Sequence, residues 1–370
     1  MDKINRIISK AYEKFCNHKR KLPSSFEGKP IKKADMHVHT SFSKEIIPGG
    51  RNRHYGYEKI TNFLLSLLVL YRKLSMGRKF YKSPYELKLS KNYDLYFHLP
   101  YSPKEVFDNA VNAGMDFVPI TDHNTIEGAL WLIKKYPSLA KRIIVGEEVS
   151  SVINKKYFID VGVYDINRKA HEEIQARRGD ARKLVIYLRK NGILFSINHM
   201  TAYLWGHIKP ISSEEISNCI KLFDIFEVRN GMLAGINNKI TEVLAAVYKK
   251  GMVAGTDSHL LRTGKTYTAA YANSKEEFLE QIRQKKSYAC GRHGSPYIMK
   301  KEIIDKFSNY KNIFLDGKKL FPGQSRFHDF VFDKIGKRVA GKIEGFVGTG
   351  MEIENAKSVL EYLKKNLQLF

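Results

Sequence analysis

Seven short apolar runs recur along this chain, at 34–38, 116–121, 142–146, 157–164, 193–198, 223–228 and 252–255, and nearly every one meets a metal-capable side chain. The first carries His37 and stops at His39; the second stops at Asp122-His123; the third stops at Glu147-Glu148. The fourth contains Asp160 and is followed by Asp165, the fifth stops at His199, and the last leads into Asp257 and His259. Only the run at 223–228 ends differently, at Arg229-Asn230-Gly231. Each run has strand length, and segments of helical period separate most of them. Strands alternating with helices predict a parallel sheet. In a β/α barrel the chemistry gathers at the C-terminal rim of the strands. Histidines scattered at random would not keep choosing strand ends.

The intervening segments fit that pattern. Residues 4–18 read as a helix with Ile4, Ile7, Ile8, Ala11, Tyr12 and Phe15 on one face. A basic connector, 19–33, is broken by Pro23 and Pro30. The helix at 102–114 opens with Ser102-Pro103-Lys104-Glu105, a capping box with proline at its first turn, and Gly114 stops it. Further helices are expected at 126–135, 168–191, 213–222, 237–250 and 274–285.

The stretch 46–99 departs from the repeat and reads as an insertion. Its apolar centre, 60–74, is shorter than the roughly 20 residues a bilayer span needs. We expect a helical lid over the barrel mouth. Arg72, Lys73, Arg78, Lys79 and Lys82 flank the apolar run, so peripheral membrane contact through 60–82 is the alternative. The division expected is 1–33 as helix and connector, 34–294 as barrel carrying the insertion, and 295–370 as a C-terminal accessory segment.

Three widely spaced cysteines, Cys16, Cys219 and Cys290, form no CxxC pair, which excludes a disulfide framework and a cysteine zinc site. The charged, amphipathic N-terminus lacks the features of a signal peptide, and a cytoplasmic location is expected. The net charge of +25 favours an anionic partner.

His37 and His39 lie two apart on a strand and so project from one face, an arrangement suited to a divalent transition metal. The whole strand-end set is His37, His39, Glu45, Asp122, His123, Glu147 or Glu148, Asp160 or Asp165, His199, Asp257 and His259. Four ligands satisfy one zinc ion. A set this large implies two or three divalent ions sharing carboxylates, with manganese, iron and zinc all compatible. Arg262, Lys265, Arg292 and His293 are candidates for holding substrate phosphate at the rim. Two motifs fail: Gly264-Lys265-Thr266 has His259 where a P-loop requires glycine, and His171-Glu172 is followed by Gln175 where a zincin has histidine.

In order, these residues resemble the motifs of the PHP (polymerase and histidinol phosphatase) family over about 34–294, with 46–99 unmatched. The motifs are Asp35-Met36-His37-Val38-His39-Thr40, Thr121-Asp122-His123-Asn124, Gly146-Glu147-Glu148-Val149, Asn198-His199 and Thr256-Asp257-Ser258-His259. The resemblance implies a distorted seven-stranded (β/α)7 TIM-like barrel and a trinuclear metal-dependent phosphoesterase site, an activity of EC 3.1 type. It implies Glu148 as the ligating glutamate and carries Glu45 over as a ligand. Asp160 falls where many members have histidine, and Asn198-His199-Met200 replaces their Ala-His-Pro. The expected reaction is hydrolysis of a phosphomonoester or small phosphodiester by a metal-bridging hydroxide. In it Asp122 orients His123, and His199 or His259 protonates the leaving group. The expected partner is a phosphorylated small molecule. A nuclease acting on nucleic acid and a catalytically silent metal-stabilised binding module are the alternatives.

Overall fold

A computed structural model describes residues 2–16, 22–43, 45–46, 96–97, 101–154, 157–202, 210–295, 297–298, 301–302, 305 and 351–367. Apart from Ile46 and 96–97, the expected lid lies outside the described residues, the 60–82 segment included. Among the described residues no helix is long and apolar enough to cross a membrane.

The fold is mixed α/β with curled sheets. Strands β1 (Ser25–Phe26) and β2 (Lys29–Ala34) follow helix α1 (Asp2–Phe15), and a short pair, β3 (Glu45–Ile46) and β4 (Tyr96–Phe97), comes next. Then come α2 (Pro103–Asn112), β5 (Val118–Ile120), α3 (Glu127–Lys135), β6 (Ile143–Ile153), β7 (Tyr157–Tyr164), α4 (Arg168–Arg177), α5 (Ala181–Lys190) and β8 (Leu194–Ile197). After these run α6 (Ser213–Leu222), β9 (Ile225–Asn230), α7 (Gly235–Val247), β10 (Gly251–Gly255), β11 (Thr266–Tyr271), α8 (Lys275–Arg283) and β12 (Tyr288–Gly291). Helix α9 (Met351–Leu367) is the last described element. The main sheet has the order β10-β9-β8-β7-β6-β5, and β1-β2-β11-β12 form a smaller one.

The stretch after β2 reaches both edges of the main sheet. Thr121 N donates to Val38 O on the β5 side (2.9 Å), and Met36 N donates to Ala254 O on the β10 side (3.2 Å). Asp257 N also donates to His37 O at 2.8 Å. A side chain at Gly255 would collide with the Cβ and backbone nitrogen of His37, so glycine is what lets the two segments approach.

The structure corrects the expected strand directions. β7 pairs antiparallel with both β6 and β8. Only residues 154–156 join β6 to β7, far too few for the crossover that parallel neighbours need. β6 also runs on to Ile153, so Glu147 and Glu148 sit within a strand and face opposite sides. The helix expected at 168–191 is two helices, α4 and α5. Asp180 caps the second by accepting from the backbone of Arg182 and Lys183. The capping box at Ser102 and Glu105 forms as expected.

Period two sets what faces inward. Ile225, Ile144, Leu194 and Val253 pack together in one buried cluster. On the same faces, two or four residues further along, come Glu227, Glu148, Asn198 and Asp257. The sheet interior is thus apolar at one end and ligand-bearing at the other.

Candidate metal centre

Four side chains from three separate segments meet at the centre of this end. Glu148 Oε2 lies 3.0 Å from His37 Nε2 and 3.4 Å from His39 Nε2. Asp257 Oδ1 lies 3.5 Å and 3.3 Å from the same two nitrogens. His123 Nδ1 approaches Glu148 Oε2 at 3.1 Å, and His199 Nε2 approaches Glu148 Oε1 at 3.0 Å. Asp160 joins Glu148 and His199, while His259 joins His39 and His123. His37, His39 and Glu148 are almost completely buried.

Burial without hydrogen bonding is what marks this cluster. Among the described residues, His37 Nε2, His39 Nε2 and Glu148 Oε2 find no hydrogen-bond partner despite their proximity. Buried polar atoms left in that state are costly, about 1–3 kcal/mol each. Two ligand atoms held about 2.0–2.2 Å from one ion necessarily sit about 3–3.5 Å apart. The spacing and the nitrogen–oxygen donor set therefore fit a divalent cation.

The opposite ring nitrogens are occupied. His37 Nδ1 lies 3.0 Å from Glu227 Oε1, a contact that directs Nε2 towards Glu148. Glu227 Oε2 also accepts from His199 N (2.9 Å) and Asn230 Nδ2 (3.1 Å). His39 Nδ1 contacts Ser43 Oγ at 3.2 Å. Asn198 Nδ2 donates to Glu148 Oε1 at 3.0 Å, and its own Oδ1 accepts from Ser196 Oγ. His199 and Asp257 both have positive φ, 23° and 54°, so these ligand-bearing turns occupy a conformation residues with a Cβ rarely adopt.

Protonation follows from this crowding. Burial opposes charge on His199, but the hydrogen bond and charge of Glu148, with Asp257, raise its pKa to about 10. Burial likewise works against His37, and Asp257, Glu148 and Glu227 drive it well above the ordinary imidazole range. Burial would raise Glu148, yet His37 and His123 hold it well below the carboxylate range. Protons on His37 and His199 offset the carboxylates in the metal-free protein. Asp35, fully buried, is raised by burial to about 6 even though Thr256 and Gly264 donate to it.

The other expected site residues divide sharply. Glu147 turns outward, accepting from His171 Nδ1 (3.0 Å) and Gln175 Nε2 (2.8 Å) on α4. Asp165 is an exposed turn residue 4.0 Å from Lys275, away from the cluster that holds Asp160. The side chain of Glu45 lies outside the described residues. The Asp122 carboxylate accepts from the backbone and hydroxyl of Thr40, so it anchors the turn after His39, whereas His123 N donates to Ser43 Oγ. Arg262 is held by Glu302 at 3.0 Å and by Asp305, while Lys265 and Arg292 are exposed. His293 sits with Arg229 and Lys239; burial and those two cations lower its pKa to about 4.

Glu227, Asn198 and Asn230 belong to the site and were missed. A carboxylate between Phe226 and Val228, in step with Ile225, was the available signal for Glu227.

Solved structures align with parts of this chain at low similarity. A proposed metal-dependent phosphoesterase from Bifidobacterium adolescentis is 11% identical, with 50% of this chain and 91% of that chain aligned at a TM-score of 0.38. PsfC from Pseudomonas syringae is 13% identical, over 55% of this chain and 88% of that one, at 0.42. The lesion-specific endonuclease EndoQ from Pyrococcus furiosus is 11% identical, at a TM-score of 0.39. That alignment takes in 69% of this chain and 56% of EndoQ, so the chain spans little more than half of it. No protein-family model matches the chain, and no curated protein does. What the site can do rests on its residues.

Proposed function

We propose that the protein is a metal-dependent phosphoric ester hydrolase of the PHP type, acting on a phosphomonoester or a small phosphodiester. The supporting observation is the convergence of His37 Nε2, His39 Nε2 and Glu148 Oε2, buried and without hydrogen bonds. On this reading β5 to β10, with 35–39 between the two edges, make the distorted seven-stranded barrel. The ligands are His37, His39, His123, Glu148, Asp160, His199, Asp257 and His259, with Glu45 as the further candidate. An imidazole nitrogen has one lone pair and serves one ion, so any sharing between ions would fall to the carboxylates Glu148, Asp160 and Asp257. Divalent cations bound there, whether manganese, iron or zinc, would polarise a phosphoryl oxygen and make water acidic enough to supply a nucleophile.

The chain's own residues do the rest. Glu227 fixes the tautomer and direction of His37, and Asn198 fixes Glu148. Asp122 holds the Thr40 turn that follows His39. His123 and His259 keep side-chain exposures of 22% and 15% while His39 has none, which puts the substrate's approach on their side. His259 is the better placed of the two proposed proton donors, since His199 is 7% exposed. Of the four candidate phosphate-binding residues, Lys265 and Arg292 remain exposed. Nucleic acid is the second reading, favoured by the net charge of +25.

Hydrolysis of an aryl phosphomonoester and an aryl phosphodiester, by Mn²⁺-loaded wild type and Glu148→Gln, tests the proposal. We expect turnover of at least one ester and its loss in the variant. A metal-loaded wild type inert on both esters and on single-stranded oligonucleotides would leave the silent binding module as the correct reading.

A further inference from the structure

The chain beyond the last strand-end motif reaches back to the metal centre at two separate points. Glu302 is only 2% exposed. Its Oε1 accepts from His259 N at 3.0 Å and lies 3.2 Å from Ser258 Oγ, so it grips the backbone of the Asp257-Ser258-His259 motif. Its Oε2 pairs with Arg262 at 3.0 Å, and Arg262 also pairs with Asp305. The second point is Asn355 on α9, 3% exposed. Its amide donates to Thr201 O and Ala202 O, both at 3.2 Å, and its Oδ1 accepts from Ile211 N at 2.9 Å. Thr201 and Ala202 belong to the turn opened by His199, where Ala202 N donates to His199 O at 2.7 Å.

Both contacts act on loops rather than on ligand side chains. His199 and Asp257 have positive φ, so their turns need outside support to keep their shape. A fully buried carboxylate is costly unless its oxygens are engaged, and among the described residues Glu302 is engaged by Ser258, His259 and Arg262. Asn355 likewise gives both amide hydrogens to the chain just after His199 and accepts from Ile211. We propose that Glu302 and Asn355 are positioning residues of the metal centre. Glu302 sets the loop carrying Asp257 and His259, and Asn355 sets the turn carrying His199. The C-terminal region completes the site and is no accessory to it. Arg262 then serves as the counter-ion that lets Glu302 be buried, not as a phosphate clamp. This inference rests on the metal-centre reading.

The test uses the full chain as Glu302→Ala, Glu302→Gln, Asn355→Ala and Arg262→Met. Each is titrated with Mn²⁺ and assayed for kcat and KM on the aryl ester that the wild type turns over. We expect Mn²⁺ affinity to fall about 10–100-fold in Glu302→Ala, the range found when groups supporting metal ligands are removed. Glu302→Gln, which keeps a neutral acceptor for His259 N, should recover part of it. Arg262→Met should lower Mn²⁺ affinity with KM unchanged at saturating metal. If Glu302→Ala does not fold, Glu302→Gln and Arg262→Met carry the test. Wild-type Mn²⁺ affinity in the Glu302 and Asn355 variants would overturn the inference, as would an Arg262→Met that raises KM alone. Because Mn²⁺ affinity is read without substrate, a wild type that binds metal but hydrolyses nothing sinks the hydrolase proposal and leaves this one standing.

Discussion

Strand β9 carries a half-buried Arg229 and a buried Glu227 on opposite sides, separated by a register shift against β10, and their situations are opposite. Arg229 turns outward, where Glu242 on α7 meets its guanidinium at 3.0 Å and the Tyr12 hydroxyl lies at 3.2 Å. Glu227 turns inward, towards His37, whose far nitrogen has no hydrogen-bond partner among the described residues. β6 repeats the contrast in adjacent residues, with Glu147 taken up by His171 and Gln175 and Glu148 left converging on four histidines. The outward charges are balanced by the chain itself and serve the fold. The inward ones are balanced only by protons or by a cation from outside, and serve chemistry.

The strongest way to break that contrast is to remove each glutamate of β6. Glu148→Ala should reduce bound metal to one ion or none and cost on the order of 10³-fold in ester turnover, several kcal/mol of charge stabilisation. Glu147→Ala should leave metal content intact and lose about 1–3 kcal/mol of stability through the stranded His171 and Gln175. Equal metal content in the two variants would erase the distinction. Next in size, Arg229→Ala strands Glu242 and should cost about 3–5 kcal/mol in denaturant unfolding, with bound metal unchanged. A smaller effect is expected of Glu227→Gln, which keeps the shape but weakens the grip on His37. Its Mn²⁺ affinity should fall about 10–100-fold by calorimetric titration, with the unfolding midpoint of the metal-free protein moving little.

Proton linkage gives the gentlest test. In the metal-free protein the pKa of His199 is about 10, against about 6.5 in an unfolded chain. Its contribution to stability is therefore complete below about pH 6.5 and is lost as pH rises towards 10. Glu148 and Asp257 are shifted the other way, so their contribution is present above about pH 4 and is lost on acidification through their folded values. Cations must displace the imidazole protons, which makes their binding tighter as pH rises. The metal-free melting temperature should fall from pH 7 to pH 9, while the gain on adding Mn²⁺ grows between pH 6 and pH 8. A gain independent of pH would show that the bound metal displaces no imidazole protons.

How far the sequence discloses all this depends on whether a residue's role is local. His37, His39, His123, His199, Asp257 and His259 stand at strand ends, and strand ends can be read from apolar runs and turn residues. The Gly179-Asp180 break between α4 and α5 was legible too. The direction of β7 was not, because it depends on β6 running on to Ile153, past the apolar run at 142–146. Roles set by tertiary neighbours were not. Nothing near Asp122 in sequence indicates Thr40, 82 residues away, as its partner. Arg262 presents itself as a free cation until Glu302 and Asp305 are brought beside it. Asn198 looks like a substitution for the usual alanine until its amide is seen bonded to Glu148.

The central claim is that the inward cluster is a metal centre, and bound-metal stoichiometry measures it most directly. Elemental analysis of the purified full chain after Mn²⁺ loading and desalting should give two to three divalent ions per chain, held by overlapping groups that meet at Glu148. The count should fall to one or none in Glu148→Ala. A wild type that retains no metal at neutral pH, and whose melting temperature ignores both Mn²⁺ and chelator, would contradict the account.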